Sequence, residues 1–230
     1  MDDVGHLMLT QYTPQTGDLC GSAVASSRSR DVSQSWHHGF SAEYARGVEI
    51  YGEGETSTHY YMVVSGAVRI YKMLADGRRQ VCAFRLSGDF FGLEADDAHV
   101  FSAEAIVKSR IVLIKRSILF ARAERDKEIA QKLRSISHDE LMRVQAHVLM
   151  LIKTARERVA EFLMEMADRV PASQDIDLPI PRQDIADYLG LTIETVSRTL
   201  TDLEKKEAIS MPNLRRVMLR DRGALSRYCG

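Results

Sequence analysis

The sequence has little cysteine. Cys20, Cys82 and Cys229 are odd in number and lie far apart, which excludes a disulfide framework and points to a reducing compartment. Long apolar runs are missing too. The longest uncharged apolar stretches, such as Val148 to Ile152, fall far short of the roughly 20 residues that span a bilayer. The start, Met1-Asp2-Asp3, carries no apolar core of a signal peptide. These absences place the chain in the cytoplasm and off the membrane. Charge of one sign is also absent: 31 Lys and Arg stand against 32 Asp and Glu, a net charge of −1. A strongly basic whole-chain field is excluded, so nucleic-acid binding must come from a local patch. There is no Ser-His-Asp spacing and no phosphate-cradling glycine loop, and the chain is read as not an enzyme.

What remains is the composition of a folded protein. With 45% hydrophobic and 27% charged residues over 230 positions, at about 150 residues per domain, the chain makes one large domain or two small ones. Residues 1–40 read as a flexible tail. Ser22 to Ser35 is small and polar with no apolar period, so it cannot offset its ordering entropy. Trp36 and Phe40 mark where the chain docks on the first domain.

From about Gly47 to Lys115 the texture changes. Gly54, Gly66, Gly77 and Gly88 recur at nearly even spacing. Between them lie the β-rich runs Tyr60 to Val64, Ala67 to Tyr71, Gln80 to Phe84 and Ile111 to Ile114. Short strands punctuated by glycine turns argue for a sandwich or barrel, with Ala75-Asp76-Gly77 as a hairpin turn. Strand signals stop at Ser117. Asp126 to Ile152 holds neither Pro nor Gly. Its first stripe is Ile129, Leu133 and Ile136. A second, Leu141, Val144, Val148 and Leu151, follows one residue out of phase. This is either a bent core-packing helix or an interdomain spine that also forms a dimer seam. Thr154 to Glu157 has capping-box spacing, Val159, Phe162, Leu163 and Met166 give the next helix its apolar face, and Pro171 stops it. Asp177 to Pro181 reads as an extended lead-in.

Arg182 to Glu204 reads RQDIADYLGLTIETVSRTLTDLE. Arg182 to Leu189 is one helix, Gly190 supplies a left-handed break, and Thr192 caps a second helix. Ile193, Val196, Leu200 and Leu203 form its buried stripe, and small Ala186 admits a close crossing. This is the helix-turn-helix pattern. On the opposite face, Glu194, Ser197 and Arg198 project together from the first turns, where a recognition helix reads bases. Glu can accept from cytosine N4, Arg can donate twice to guanine, and Ser is permissive. The bland alternative is a solvated face with a Glu–Arg pair. Ile193, Thr192, Thr195 and Arg182 border that face as backbone or accessory contacts. Between Arg198 and Arg222 seven cations outnumber four anions. Ile209 to Leu219 looks like a β-hairpin wing whose Arg215 and Arg216 reach phosphate.

With these residues in view, the chain resembles the CRP/FNR family of bacterial transcription regulators over roughly residues 40 to 227. Glu194 to Arg198, ETVSR, matches the E-x-x-S-R pattern of the FNR branch, and the string from Arg182 to Arg198 is similar to the FixK nitrogen-fixation regulators. The resemblance implies an α+β chain: an N-terminal β-roll or jelly-roll, sensor-like, at 41–125, a long dimerisation helix at 126–153, and a C-terminal winged helix-turn-helix at 154–230. It implies a homodimer, with a seam of Ile136, Leu141, Val144, Val148 and Leu151, on double-stranded DNA at TTGA-type palindromes. It implies engagement of RNA polymerase as an activator in the low-oxygen, nitrogen-fixation response.

The departures from the family pattern narrow the expected cofactors to none. Three scattered cysteines cannot supply the four thiolates of an iron–sulfur cluster. Where cyclic-nucleotide members carry Gly-Glu and Arg-Ser-Ala around the phosphate, this chain has Gly88-Asp89 and Phe101-Ser102-Ala103. Phe101 replaces the pairing arginine, and Glu94, Asp96 and Asp97 repel an anion further. Pro181 stands where relatives often place a Ser cap. His37-His38, with His59 and His99, invites a metal or haem reading, against the blander one of a surface pair beside Trp36; no metal is expected. The alternative function is a regulator of the same architecture that depends on a cyclic nucleotide or other small ligand.

Overall fold

A computed structural model describes residues 39–94, 97–169, 175–177, 180–213 and 216–228, with the backbone alone at 175–177, 213 and 216. Nearly all of the tail, with Cys20, Trp36 and His37-His38, lies outside these residues, as do Asp96, Pro171, Arg215 and Cys229.

Eight strands form the N-terminal unit: β1 Phe40–Tyr44, β2 Glu49–Tyr51, β3 His59–Ser65, β4 Ala67–Met73, β5 Arg79–Leu86, β6 Phe90–Phe91, β7 Ser102–Ala105 and β8 Ser109–Lys115. They make two four-stranded antiparallel sheets, ordered β1-β8-β3-β6 and β2-β7-β4-β5. Tyr51, Tyr61, Val63, Val68, Ile70, Phe91, Ala103 and Ile111 pack together as one core cluster of this unit. The four strands expected from sequence are β3, β4, β5 and β8, each a residue or more longer. The other four are short or carry Ser, Ala and Glu, so no apolar run announces them. The β4–β5 turn closes as expected: Gly77 sits at φ 82°, and the Asp76 carboxylate accepts from the Arg78 amide at 3.0 Å. As expected, the chain joins the first domain at Phe40, whose backbone pairs with Leu113; its ring, on the edge strand, is 73% exposed.

Two helices leave the β-roll, α1 Arg116–Arg125 and α2 Lys127–Leu151. Asp126 caps α2, its carboxylate accepting from the Glu128 and Ile129 amides. Leu119 and Ile129 pack with Tyr60, Met62, Phe90 and Ile114, and Leu133 and Ile136 lean on the same cluster. The first half of α2 therefore covers its own β-roll. Past Glu140, Leu141, Met142, Val144, Val148 and Leu149 are all exposed, whereas Met150 is buried in the core shared with the C-terminal helices.

The C-terminal unit is α3 Ala155–Arg169, β9 Asp175–Asp177, α4 Arg182–Leu189, α5 Ile193–Lys205, β10 Ile209–Asn213, β11 Arg216–Leu219 and α6 Arg222–Ser226. The capping box before α3 is reciprocal: the Thr154 amide donates to Glu157 Oε2 at 2.7 Å, and the Glu157 amide donates to Thr154 Oγ1 at 3.4 Å. The wing gains a third strand, in the order β10-β11-β9. The apolar residues of α3, α4 and α5 share a single core with Ala67, Val81, Phe84 and Ile106 of the β-roll. Phe84 lies 5.1 Å from the Tyr188 ring and 6.0 Å from Phe162. Among the described residues, no helix is long and apolar enough to cross a membrane.

Candidate nucleic-acid interface

The site is built on α5. Its N-terminus is fixed by Thr192, whose hydroxyl accepts from the Thr195 amide at 3.2 Å. The preceding turn is possible because Gly190 takes φ 61°, ψ 39°, a conformation that costs little without a Cβ. Val196, Leu200 and Leu203 are buried, which locks the rotation of α5 about its axis. Ile193 is the exception to the expected stripe. At 36% exposed, it lies in the first turn of α5 and is only partly covered.

That rotation turns Glu194 and Arg198 to solvent, with Ser197 half covered beside them. Thr192 is exposed and Thr195 half exposed on the same turn. The Glu194 carboxyl is held below the usual range, first by the helix-end backbone amide and then by the Thr192 hydroxyl and the Arg198 charge. It is an ionised acceptor at neutral pH, fit for a base amino group. Arg182 does not extend freely from α4. Its Nη1 donates to Ser197 Oγ at 3.4 Å and its Nη2 lies 3.7 Å from Met211 Sδ, so it braces the recognition helix against the wing. Lys205, Lys206, Arg220 and Arg222 are exposed. Of the two wing arginines, Arg215 lies outside the described residues and the side chain of Arg216 is not described.

Arg158 was not singled out from sequence, though it positions the motif. Its Nε donates to the Lys153 carbonyl at 2.8 Å and its Nη1 to the Leu189 carbonyl at 2.9 Å. It thus closes the C-terminal end of α4, where a cation also complements the helix dipole. Arg156 pairs with Asp202 at 2.9 Å, tying α3 to α5.

Residues 157–228 match the family model of the Crp-like helix-turn-helix domain, and residues 41–126 that of the cyclic nucleotide-binding domain. The nitrogen fixation regulation protein FixK of Azorhizobium caulinodans is 52% identical, over 82% of this chain and 79% of that protein. The chain belongs to the CRP/FNR family. FixK of Rhizobium meliloti is 40% identical over 82% of this chain and 86% of its own. The solved structure of FixK2 from Bradyrhizobium japonicum superposes with a TM-score of 0.81 at 44% identity, covering 84% of this chain and 98% of that one. The chain is therefore a transcription regulator of the FixK type, with a β-rich cyclic-nucleotide-binding-type domain, helices and a C-terminal DNA-binding helix-turn-helix.

The five residues of the expected seam differ in exposure in the protomer. Leu141, Val144 and Val148 are 54%, 51% and 57% exposed. Leu151 is half buried, and Ile136 is partly covered by the β-roll. Met142, Leu149 and Ile152 are 50%, 61% and 81% exposed and belong to the open ridge, though none is among the five seam residues expected from sequence; Ile152 continues the Val144–Val148 spacing.

Proposed function

We propose that this regulator works as a homodimer that reads TTGA-type palindromes and activates transcription by engaging RNA polymerase, in the low-oxygen, nitrogen-fixation response of the cytoplasm. Glu194, Ser197 and Arg198 read bases. Thr192, Ile193, Thr195, Arg215 and Arg216 border them as backbone or accessory contacts, and Arg182 acts through Ser197. The observation that carries this reading is the rotation of α5: its apolar side is buried in the shared core while its Glu194–Arg198 side stays open on the first two turns. The partition is a tail at 1–40, a β-roll at 41–125, a dimerisation helix at 126–153 and a winged unit at 154–230. The α2 ridge supports a two-fold pairing, which in turn requires a palindromic site.

The β-roll acts without a bound cyclic nucleotide or iron–sulfur cluster in this reading. The residues around the family's nucleotide position do not fit a cyclic phosphate. Phe101 stands there with Lys72 Nζ 5.9 Å from its ring centre, and Ser102 Oγ accepts from the Glu53 amide at 3.0 Å. Asp89 is held by Arg169 and by the Leu86 amide. Inside, His99 stacks on Tyr51 at 3.6 Å and lies 3.4 Å from Glu94; these are aromatic and acidic walls. The nearby guanidiniums are engaged, Arg116 with the Gly92 carbonyl at 2.8 Å and Arg85 with Glu140.

The rival reading, a ligand-dependent regulator, is favoured by the match of 41–126 to a cyclic nucleotide-binding model. Selection from a random DNA pool by purified, ligand-free protein decides between them. Recovery of TTGA-type palindromes is the expected result. Recovery only after adding cAMP or cGMP, with heat of binding in calorimetry, would favour the rival.

A further inference from the structure

Asp184 is a carboxylate on α4 that is 1% exposed, and the groups that satisfy it come from the other domain. Arg69 of β4 donates from Nη1 to its Oδ2 at 2.7 Å, and Arg79 of β5 donates from Nη2 to its Oδ1. The chain of charge runs on at both ends. Arg69 Nη2 donates to Glu104 of β7 at 2.6 Å, and Arg79 reaches Asp187 at 2.8 and 3.1 Å. Gln80 adds a bond to the Asp187 carbonyl at 2.7 Å. The Tyr71 ring lies 5.8 and 5.9 Å from the two guanidinium carbons.

Apolar contact between two domains is non-directional and tolerates sliding. Charge-assisted bonds from guanidinium forks are directional and fix orientation as well as distance. The β4–β5 arginines therefore hold α4 at a set angle on the β-roll. α4 packs on α5 through the shared core, so the aim of the recognition helix relative to α2 is set as well.

Resting on the homodimer reading above, we propose that the Arg69–Asp184–Arg79 clamp fixes the separation and facing of the two recognition helices. Residues of the β-roll then decide which half-site spacing the regulator accepts. Two added base pairs turn one half-site by about 70° and move it about 7 Å. A clamped dimer cannot follow that change, whereas an unclamped one can swivel.

The test uses full-length protein and palindromes whose central spacer is shortened or lengthened by one or two base pairs, with affinity read by fluorescence anisotropy at one salt concentration. Wild type should lose on the order of 100-fold for a two-base-pair change, because the second half-site is no longer bound in concert. Asp184→Asn should shrink that ratio to about 10-fold or less while keeping the wild-type base preference within each half-site. Arg79→Lys, which keeps the charge but loses the fork, should relax the ratio in part, and Arg79→Gln should relax it further. Arg79→Gln carries the comparison if Asp184→Asn fails to fold, with thermal unfolding and dimer mass checked for each. An equal loss at every spacing would make the clamp a plain stabilising contact and overturn the proposal, as would an unchanged ratio. Wild type that bound no palindrome at any spacing would instead defeat the DNA-reading assignment on which the proposal stands.

Discussion

The α2 ridge sets the strongest demand on the proposed dimer, and Val144→Glu with Val148→Glu tests it. The two valines lie one turn apart and are 51% and 57% exposed. Full burial of a valine side chain is worth at least about 1.5 kcal/mol. Covering the open half of each is then worth roughly 0.8 kcal/mol, or about 3 kcal/mol for the four valines of a dimer. That alone weakens association on the order of 100-fold. Four carboxylates brought together at a two-fold seam add repulsion and desolvation on top. Because both sites are open in the protomer, its fold should survive, and circular dichroism should be unchanged. Ile136 offers a contrast, since it leans on the β-roll cluster. Ile136→Glu should lower the melting temperature more than it lowers the dimer constant. Sedimentation over a dilution series reads the mass, and anisotropy on a palindrome reads the consequence, since a monomer engages one half-site alone. A double variant that kept wild-type dimer mass at every dilution and full operator affinity would refute the seam.

Three further outcomes follow from the site. Arg198→Ala should cost on the order of 1–3 kcal/mol per half-site and relax preference at a G·C pair, whereas Arg216→Ala, as a phosphate contact, should weaken all DNA equally and lower the salt slope by about one unit; a uniform loss with Arg198→Ala, measured on operator variants, would make Arg198 a backbone contact. Replacing Cys20, Cys82 and Cys229 with Ser or Ala should leave DNA binding in air unchanged, because burial pushes the Cys82 thiol up and away from the reactive thiolate; a large loss would revive redox control. His147 stacks on Tyr188 at 4.1 Å, and burial lowers its pKa below the ordinary value. The folded state therefore favours the neutral ring, and this contribution is full above pH about 6.5 and lost as pH falls through the lowered value. Urea unfolding of His147→Phe should then show a shallower loss of stability from pH 7 to pH 5, and an unchanged slope would sink the assignment.

The DNA-binding motif was legible because its signals are local. Gly190, Thr192 and the Val196–Leu200–Leu203 stripe each act within a few residues, and the helix bounds follow from them. The strands that escaped notice, β1, β2, β6 and β7, have two to five residues and owe their pairing to neighbours far along the chain. The clamp was invisible for the same reason: Arg69 and Asp184 are 115 positions apart. In sequence, an Asp beside Ile185 on an amphipathic helix reads as a solvent-facing residue, since charged groups are rarely buried unless paired. Only the fold supplies the pair. Ile193 shows the reverse error. Its spacing from Val196 is right for the stripe, but periodicity cannot say that the fold leaves this side chain 36% exposed.

The phase slip in α2 joins these points. A helix packed along its whole length against one surface keeps one apolar stripe. In α2 the stripe through Ile129, Leu133 and Ile136 faces the β-roll. The set that starts at Leu141 is one residue out of register, and Leu141, Met142, Val144, Val148, Leu149 and Ile152 lie open on the protomer. Six large apolar side chains in that open ridge exceed what a soluble protomer ordinarily shows to water. A change of phase without a Pro or Gly to bend the axis is what a change of partner requires. In the proposed homodimer, the first half of the helix serves its own domain and the open side of the second half faces another copy, while Met150 packs into the core shared with the C-terminal helices; the clamp at Asp184 matters there because the recognition helices must be held at a fixed angle to that seam.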